Sequence, residues 1–230
     1  MLKLLDPRHP YDDFPPVEQA LEEPDGLLAV GGDLSPPRLL RAYRHGVFPW
    51  YNPGEPILWW SPDPRLVLFP DRLKVSRSLK KVLKQGRYCL TYDQAFDQVI
   101  EACSGPRRDE TGTWITPEMK TAYLNLHSLG HAHSVECWYE GTLAGGLYGV
   151  AIGRVFFGES MFHRHSNASK IAFVHLTRWL QQWNYALIDC QVRTNHLLSM
   201  GAEEIPRSRF IKQIQRWCQE CCASDAWKSA

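Results

Sequence analysis

Two carboxylates set inside apolar strands constrain this chain more than any other feature. Residues 143–150 read as a strand carrying Gly145 and Gly146, residues 152–154 turn it back, and residues 155–162 form a second apolar strand with Glu159 in its middle. A polar loop over 163–167, a helix over about 169–183 and a third strand over 186–191, with Asp189 near its centre, complete the unit. Strand, hairpin, strand, helix, strand is a compact arrangement whose last step admits a right-handed crossover. Burying a carboxylate without partners is costly, so each acid is either a hydrogen-bonded structural group or a functional one.

The 230 residues suffice for one large domain, or a small one plus a medium one, and 44% hydrophobic content supports a real core. A formal net charge of +1 excludes a globally basic nucleic-acid binder but leaves room for a local basic patch. The cysteines number seven; Cys89, Cys103, Cys137 and Cys190 are scattered, and Cys218, Cys221 and Cys222 cluster near the end. No second pair at zinc-ligand spacing accompanies Cys218 and Cys221, so they read as reduced thiols. Residues 1–13 carry charge and proline rather than a secretory signal, and no apolar run approaches membrane length. The expectation is a cytoplasmic protein with no membrane partner. No motif calls for a metal, nucleotide or other cofactor, and nothing demands more than a monomer.

Residues 1–24 are irregular and proline-rich, and 26–33 form a short apolar run closed by glycines, without a P-loop lysine. Ser35-Pro36 opens a helix with Leu39, Leu40 and Tyr43 on its apolar face and Gly46 at its end. Residues 47–60 are dense in aromatics, Phe48-Pro49-Trp50-Tyr51 and then Leu58-Trp59-Trp60, for which core is the default role. Ser61-Pro62-Asp63-Pro64-Arg65 reads as a rigid joint, dividing a small domain over 1–62 from a larger one over 63–230.

After a strand over 66–69, the stretch 72–87 carries Arg72, Lys74, Arg77, Lys80, Lys81, Lys84 and Arg87 and no acid after Arg72. With Ser76 as cap, Arg77, Lys80, Lys81 and Lys84 fall on one helical face and Leu79, Val82 and Leu83 on the other. A merely solvated face usually mixes signs; a uniform one points to an anionic partner such as an RNA backbone. Then follow a strand over 88–92, an amphipathic helix over 93–102, a charged loop over 105–112, and a helix opened by Thr116-Pro117-Glu118 and running to 129. A strand over 132–139 leads into the central unit; a short helix over 195–200 and a last one over 206–222 follow it.

Taken in order, several of these motifs resemble the leucyl/phenylalanyl-tRNA–protein transferase family. They are Gly31-Gly32-Asp33-Leu34-Ser35, Gly46-Val47-Phe48-Pro49-Trp50, Leu58-Trp59-Trp60-Ser61-Pro62-Asp63-Pro64-Arg65 and Gly112-Thr113-Trp114-Ile115-Thr116. Gly158-Glu159-Ser160-Met161-Phe162, Asn167-Ala168-Ser169-Lys170, Ile188-Asp189-Cys190-Gln191, Gly201-Ala202 and Ile205-Pro206-Arg207 complete the set.

The resemblance implies an α+β protein: a small N-terminal domain that contributes to an aminoacyl pocket, and a domain similar to the GNAT acyltransferases, with a mixed sheet flanked by helices. It implies an aminoacyltransferase that moves Leu or Phe, and also Met, from aminoacyl-tRNA to the N-terminal Arg or Lys of an acceptor protein. The product is an N-degron that marks the acceptor for degradation. By the same analogy Trp50, Trp114, Leu147, Met161 and Phe173 line the aminoacyl pocket, with Leu147 where other members carry methionine. Such a pocket separates side chains differing by a methylene by only ~1–3 kcal/mol, so exclusion of β-branched residues must come from shape near Cβ. Arg77, Lys80, Lys81 and Lys84 hold the acceptor stem through phosphates.

The donor is an activated ester, so positioning supplies much of the acceleration. The acceptor amine must lose a proton to attack. Asp189, with Gln191 two residues on along the same strand face, is expected to help remove it, while Glu159 orients the aminoacyl α-amine. The same two acids are the candidates for holding the acceptor's basic side chain. An alternative leaves proton transfer to the tRNA's own vicinal hydroxyl. Two other functions stay open on the residues alone: a GNAT-type acyltransferase with another donor such as acyl-CoA, and a non-catalytic tRNA-binding protein. The loop over 163–170 contains no glycine, which counts against a pyrophosphate-binding CoA loop.

Overall fold

A computed structural model describes residues 2–105, 114–220 and 226–227. Its strands and helices in chain order are β1 (Lys3–Leu5), β2 (Leu27–Gly31), α1 (Pro36–Arg44), β3 (Phe48–Pro49), β4 (Leu58–Trp60), β5 (Arg65–Leu68), α2 (Arg77–Lys84), β6 (Tyr88–Tyr92) and α3 (Phe96–Cys103). They continue with α4 (Pro117–Ser128), β7 (Ala132–Tyr139), β8 (Thr142–Ile152), β9 (Val155–His163), α5 (Ala168–Gln182), β10 (Leu187–Gln191), α6 (Asn195–Ser199), β11 (Glu203–Ile205) and α7 (Arg207–Trp217).

Two sheets result. Residues before the joint form a four-stranded sheet in the order β1-β2-β4-β3, and residues after it form a seven-stranded sheet in the order β11-β5-β10-β9-β8-β7-β6. The second sheet is mixed: β6 to β9 run antiparallel in a meander, and β10 returns through α5 to lie parallel beside β9. Helix α5 packs on one face of β7 and β8, while α3 and α4 cover the other. The architecture is α+β, with a mixed sheet flanked by helices.

Local chemistry explains most boundaries. Ser76 Oγ accepts from the Leu79 amide and Thr116 Oγ1 from the Met119 amide, the two side-chain caps that open α2 and α4. Ser35 departs from expectation. Its side chain makes no cap bond to α1; its amide instead donates to Asp33 Oδ1 at 2.8 Å. The last helix ends at Trp217 rather than at 222; Cys221 and Cys222 lie outside the described residues, as does the expected charged loop from residue 106 onward.

Strands β1, β3, β4 and β11 are too short for a period of two to register in sequence, at three residues or fewer each. The segment before β2, irregular by composition, is held down by Arg38. This side chain is fully buried, and its guanidinium donates to the carbonyls of Asp6, His9 and Asp12. The aromatic stretch divides: Trp59 is fully buried with its indole N–H on the Gly31 carbonyl, whereas Trp50 stays 49% exposed. The joint is tied to both sides, since the Ser61 amide donates to the Gly26 carbonyl and Arg207 Nη1 to the Ser61 carbonyl.

Candidate active site

The β9–β10 ladder decides where the site lies. The two strands pair over only three positions, Val155–Phe157 against Leu187–Asp189, and then part. Both depart from regular register at the parting. β9 bulges opposite Tyr148 and Gly149, so that one residue more stands between Gly158 and Ser160 than the partner supplies, and that residue is Glu159. β10 bulges against β5 between Asp189 and Gln191, and Gln191 adopts a left-handed φ of 62°. A non-glycine residue in that region is strained, and bulges commonly re-aim a side chain beside a functional site. Glu159 and Gln191 thus each sit two residues past the last pair of the β9–β10 ladder. They meet across the gap, with Gln191 Nε2 donating to Glu159 Oε1 at 2.8 Å.

Two tyrosines from the helical layer complete the cluster. Tyr43 of α1 and Tyr123 of α4, both fully buried, bring their hydroxyls to Glu159 Oε1 at 2.8 Å and Oε2 at 2.7 Å, and to each other at 2.5 Å. Proton counting is informative. With Glu159 ionised, two hydroxyl protons must serve three contacts; a proton on the carboxyl gives each contact one. Burial accordingly pushes the Glu159 carboxyl up to about 7, with the charge of Asp189 adding to the rise and the two tyrosines and Gln191 opposing it. Burial and the neighbouring carboxylate hold both tyrosine hydroxyls well above their ordinary range.

Asp189 is engaged otherwise. It is fully buried, and both its oxygens accept from Arg65, Oδ1 from Nε at 2.8 Å and Oδ2 from Nη2 at 2.7 Å. Oδ1 also accepts the Gln191 backbone N–H at 2.9 Å, the contact that holds Gln191 in its left-handed conformation. Arg65 is itself 1% exposed, lies 4.7 Å from the ring centroids of both Phe48 and Phe210, and donates to the Gly46 carbonyl. In this geometry both oxygens of Asp189, the residue expected to help take a proton from the acceptor amine, are engaged by Arg65. It corrects the alternation argument. Asp189 and Gln191 are linked through a bulge and a backbone amide, not by sharing a strand face.

The expected pocket residues fall into two groups. Leu147 and Met161 are cross-strand partners, and with Phe173 of α5 they belong to one apolar cluster. Trp114 packs against the cluster on the opposite face, together with Tyr43 and Phe157, and Trp50 lies at the surface with its ring 5.8 Å from Trp60. A cleft of about 670 Å³ is lined by residues that include Tyr51, Glu55, Thr116 and Glu118. Hydrogen bonds from Asn52 hold Glu55 below its ordinary range, and the Glu118 backbone amide and Thr116 do the same for Glu118. Arg77, Lys80, Lys81 and Lys84 all project from the exposed face of α2, while Leu79 is buried and Val82 and Leu83 pack inward.

Tyr43, Tyr123 and Arg65 went unread as site residues. Tyr43 was legible only as part of an apolar helix face and Arg65 only as part of a joint. Their one signal is a polar tip on a side chain whose neighbours place it inside.

Comparison with known proteins gives the family. A family model described as "Leucyl/phenylalanyl-tRNA protein transferase" matches residues 67–215, and its N-terminal domain model matches 32–63. A relative named leucyl/phenylalanyl-tRNA–protein transferase from Nitrosomonas europaea is 66% identical over 88% of this chain and 86% of its own length. One of the same name from Aromatoleum aromaticum is 61% identical over 94% of this chain and 91% of its own. Among solved structures, a GCN5-related N-acetyltransferase from Kribbella flavida aligns with 74% of this chain and 60% of its own, at 13% identity and a TM-score of 0.36. The family model and the relatives define an aminoacyltransferase that draws on aminoacyl-tRNA. The chain belongs to the leucyl/phenylalanyl-tRNA–protein transferase family.

Two outcomes follow from the site. Asp189→Ala leaves Arg65 buried without its partner and is expected to destabilise the fold by roughly 3–5 kcal/mol, read as a lowered Tm. Because the Glu159 carboxyl titrates near 7 in the fold and at about 4.5 outside it, the folded chain binds the extra proton between those values. Stability therefore falls as pH rises through that window, and the loss is complete above it. Glu159→Gln is expected to be the more stable protein at pH 8, by on the order of 1–3 kcal/mol, with the advantage vanishing near pH 5. Equal denaturation midpoints at both pH values would contradict this.

Proposed function

We propose that this enzyme transfers Leu, Phe or Met from aminoacyl-tRNA to the N-terminal Arg or Lys of an acceptor protein, with Glu159 and Gln191 at the reacting centre. The observation that carries the reading is Glu159, a carboxyl near 7 bonded to Gln191 at the mouth of a parting in the sheet. An α-amine titrates at about 7.7–8.0, so the acceptor arrives largely as the ammonium ion. An ionised Glu159 is matched to take one proton from it. The amine nitrogen then bonds to the ester carbonyl carbon, the bond to the ribose oxygen breaks, and that oxygen leaves with the second amine proton. Because Gln191 donates its amide N–H to Glu159, its Oε1 remains to accept from the attacking amine. Asp189 acts as a positioning residue, through the Gln191 backbone and Arg65.

Leu147, Met161 and Phe173 are assigned to the wall of the aminoacyl pocket, with Trp50 and Trp114 toward its mouth. With the charge of Asp189 answered by Arg65, the acceptor's basic side chain fits the cleft at Glu55 and Glu118 better. Its apolar lining suits the aliphatic stem of Arg or Lys. The division into domains over 1–62 and 63–230 follows the change of sheet at the joint. Among the described residues no helix is long and apolar enough to cross a membrane. A monomer in the cytoplasm, supplying N-degrons for protein degradation, accords with this chemistry.

The test mixes purified protein with labelled Phe-tRNA and two otherwise identical acceptors, one beginning with Arg and one with Ala. Hot-acid-stable label is expected on the Arg acceptor alone, with kcat/KM rising through about pH 7. Glu159→Gln should lose that limb of the profile and roughly a hundredfold or more of the rate. Label on both acceptors alike, or an unchanged profile, would refute the assigned roles. Separately, tRNA binding should weaken steeply with salt, and neutralising Lys80, Lys81 and Lys84 together should flatten the slope by about two to three. A slope that stays the same moves the RNA away from α2.

A further inference from the structure

We propose that Tyr88, Tyr139 and His165 form a stacking platform for the unpaired bases at the 3′ end of the donor tRNA, upstream of the nucleotide that carries the amino acid. This rests on aminoacyl-tRNA being the donor.

The rings come from two places. Tyr88 and Tyr139 are directly opposed across β6 and β7, with centroids 5.3 Å apart. His165 reaches them from the loop after β9. Its ring stacks on Tyr139 at 4.4 Å with an interplanar angle of 16°, and lies edge-on to Tyr88 at 6.1 Å. Its position is fixed rather than incidental, since His165 Nδ1 is 2.9 Å from Tyr88 Oη, which also donates to the Ser166 carbonyl at 3.2 Å. Tyr88 and Tyr139 are partly buried, but His165, the last ring of the stack, is exposed. A cluster that only sealed the sheet edge would bury its outermost ring. Here the stack ends at the surface with an aromatic plane, and every nucleobase has a face that can extend it.

The surroundings fit single-stranded RNA. Residues 85–87, ending in the exposed Arg87, join the platform to α2, whose outward face is uniformly cationic. On the other side β9 runs from His163 back to Glu159, four residues or roughly 13 Å along the strand. Arg164, exposed and next in sequence to His165, adds a cation to the same loop, its guanidinium 5.6 Å from the Phe162 ring. Phosphates held by α2 and bases stacked on the platform divide the labour found in single-strand binders, where a positive groove tracks the backbone and aromatic rings hold the bases. Contacts of this kind tolerate any base. The platform would thus favour a polynucleotide donor over a bare aminoacyl nucleoside without selecting among tRNA sequences.

The experiment compares transfer of Phe from intact Phe-tRNA with transfer from phenylalanyl-adenosine, an ester that lacks the upstream bases. His165→Ala and Tyr139→Ala are expected to lower the ratio of the two kcat/KM values at least about fivefold, through a raised KM for the tRNA. His165→Phe keeps a ring and should hold the ratio within about twofold of the parent. An unchanged ratio in both alanine variants overturns the platform. So does an equal loss with both donors, which marks a structural role, and so does a raised KM for the acceptor protein instead, which marks a peptide-docking surface. Failure of the unsubstituted protein to use either donor would remove the transfer activity itself, and is told apart from these results because it precedes any substitution.

Discussion

The buried pair of Arg65 and Asp189 is the interaction on which the rest of this structure depends. Neither side chain reaches solvent, and the two parallel hydrogen bonds between them join β5 to β10. The guanidinium also lies against Phe48 and Phe210 and donates to the Gly46 carbonyl, so one side chain touches the segment before β3, the β5–β10 ladder and α7. A buried pair adds little net stability over apolar packing, but losing one partner strands the other in a medium of low polarity. Its value lies in geometry. Asp189 also receives the Gln191 amide, so a contact that holds two parts of the fold together sets the backbone of Gln191.

The cluster of Glu159 and Gln191 is built from departures from regular structure. A continuous parallel ladder between β9 and β10 would satisfy more backbone groups, but it would leave no opening. Here the ladder stops after three pairs, and a bulge on each strand turns Glu159 and Gln191 toward each other. The tyrosines of α1 and α4 then supply hydroxyls that support Glu159 in either protonation state. Keeping that carboxyl near 7 costs stability at neutral pH.

Charge follows the same division of tasks. Summed over the chain it is nearly zero, which limits indiscriminate attraction to polyanions. Placed on one face of α2 it is uniform, and the buried Leu79 on the other face fixes that helix against the α5 layer. The aromatic rings beyond its C-terminal end lie on the sheet's edge strand and its neighbour, where they are partly open to solvent.

Much was legible before any coordinates. The hairpin, crossover helix and final strand, the capped starts of α2 and α4, the one-sided charge of α2 and the two strand-embedded acids all follow from patterns a few residues long, because caps and amphipathic faces are set by neighbours in sequence. The motif order was sufficient to point to the family. The tertiary structure alone decided what the acids contact. Glu159 and Asp189 look alike in sequence, each a carboxylate within an apolar strand, yet one faces two tyrosines and an amide across a gap, and the other faces Arg65, 124 residues away in the chain. Bulges, a left-handed Gln191 and the inward aim of Tyr43 and Tyr123 leave no periodic trace. Whether a buried carboxylate is held as half of an ion pair or kept near neutrality depends on partners brought from distant elements, and no spacing along the chain encodes that distance.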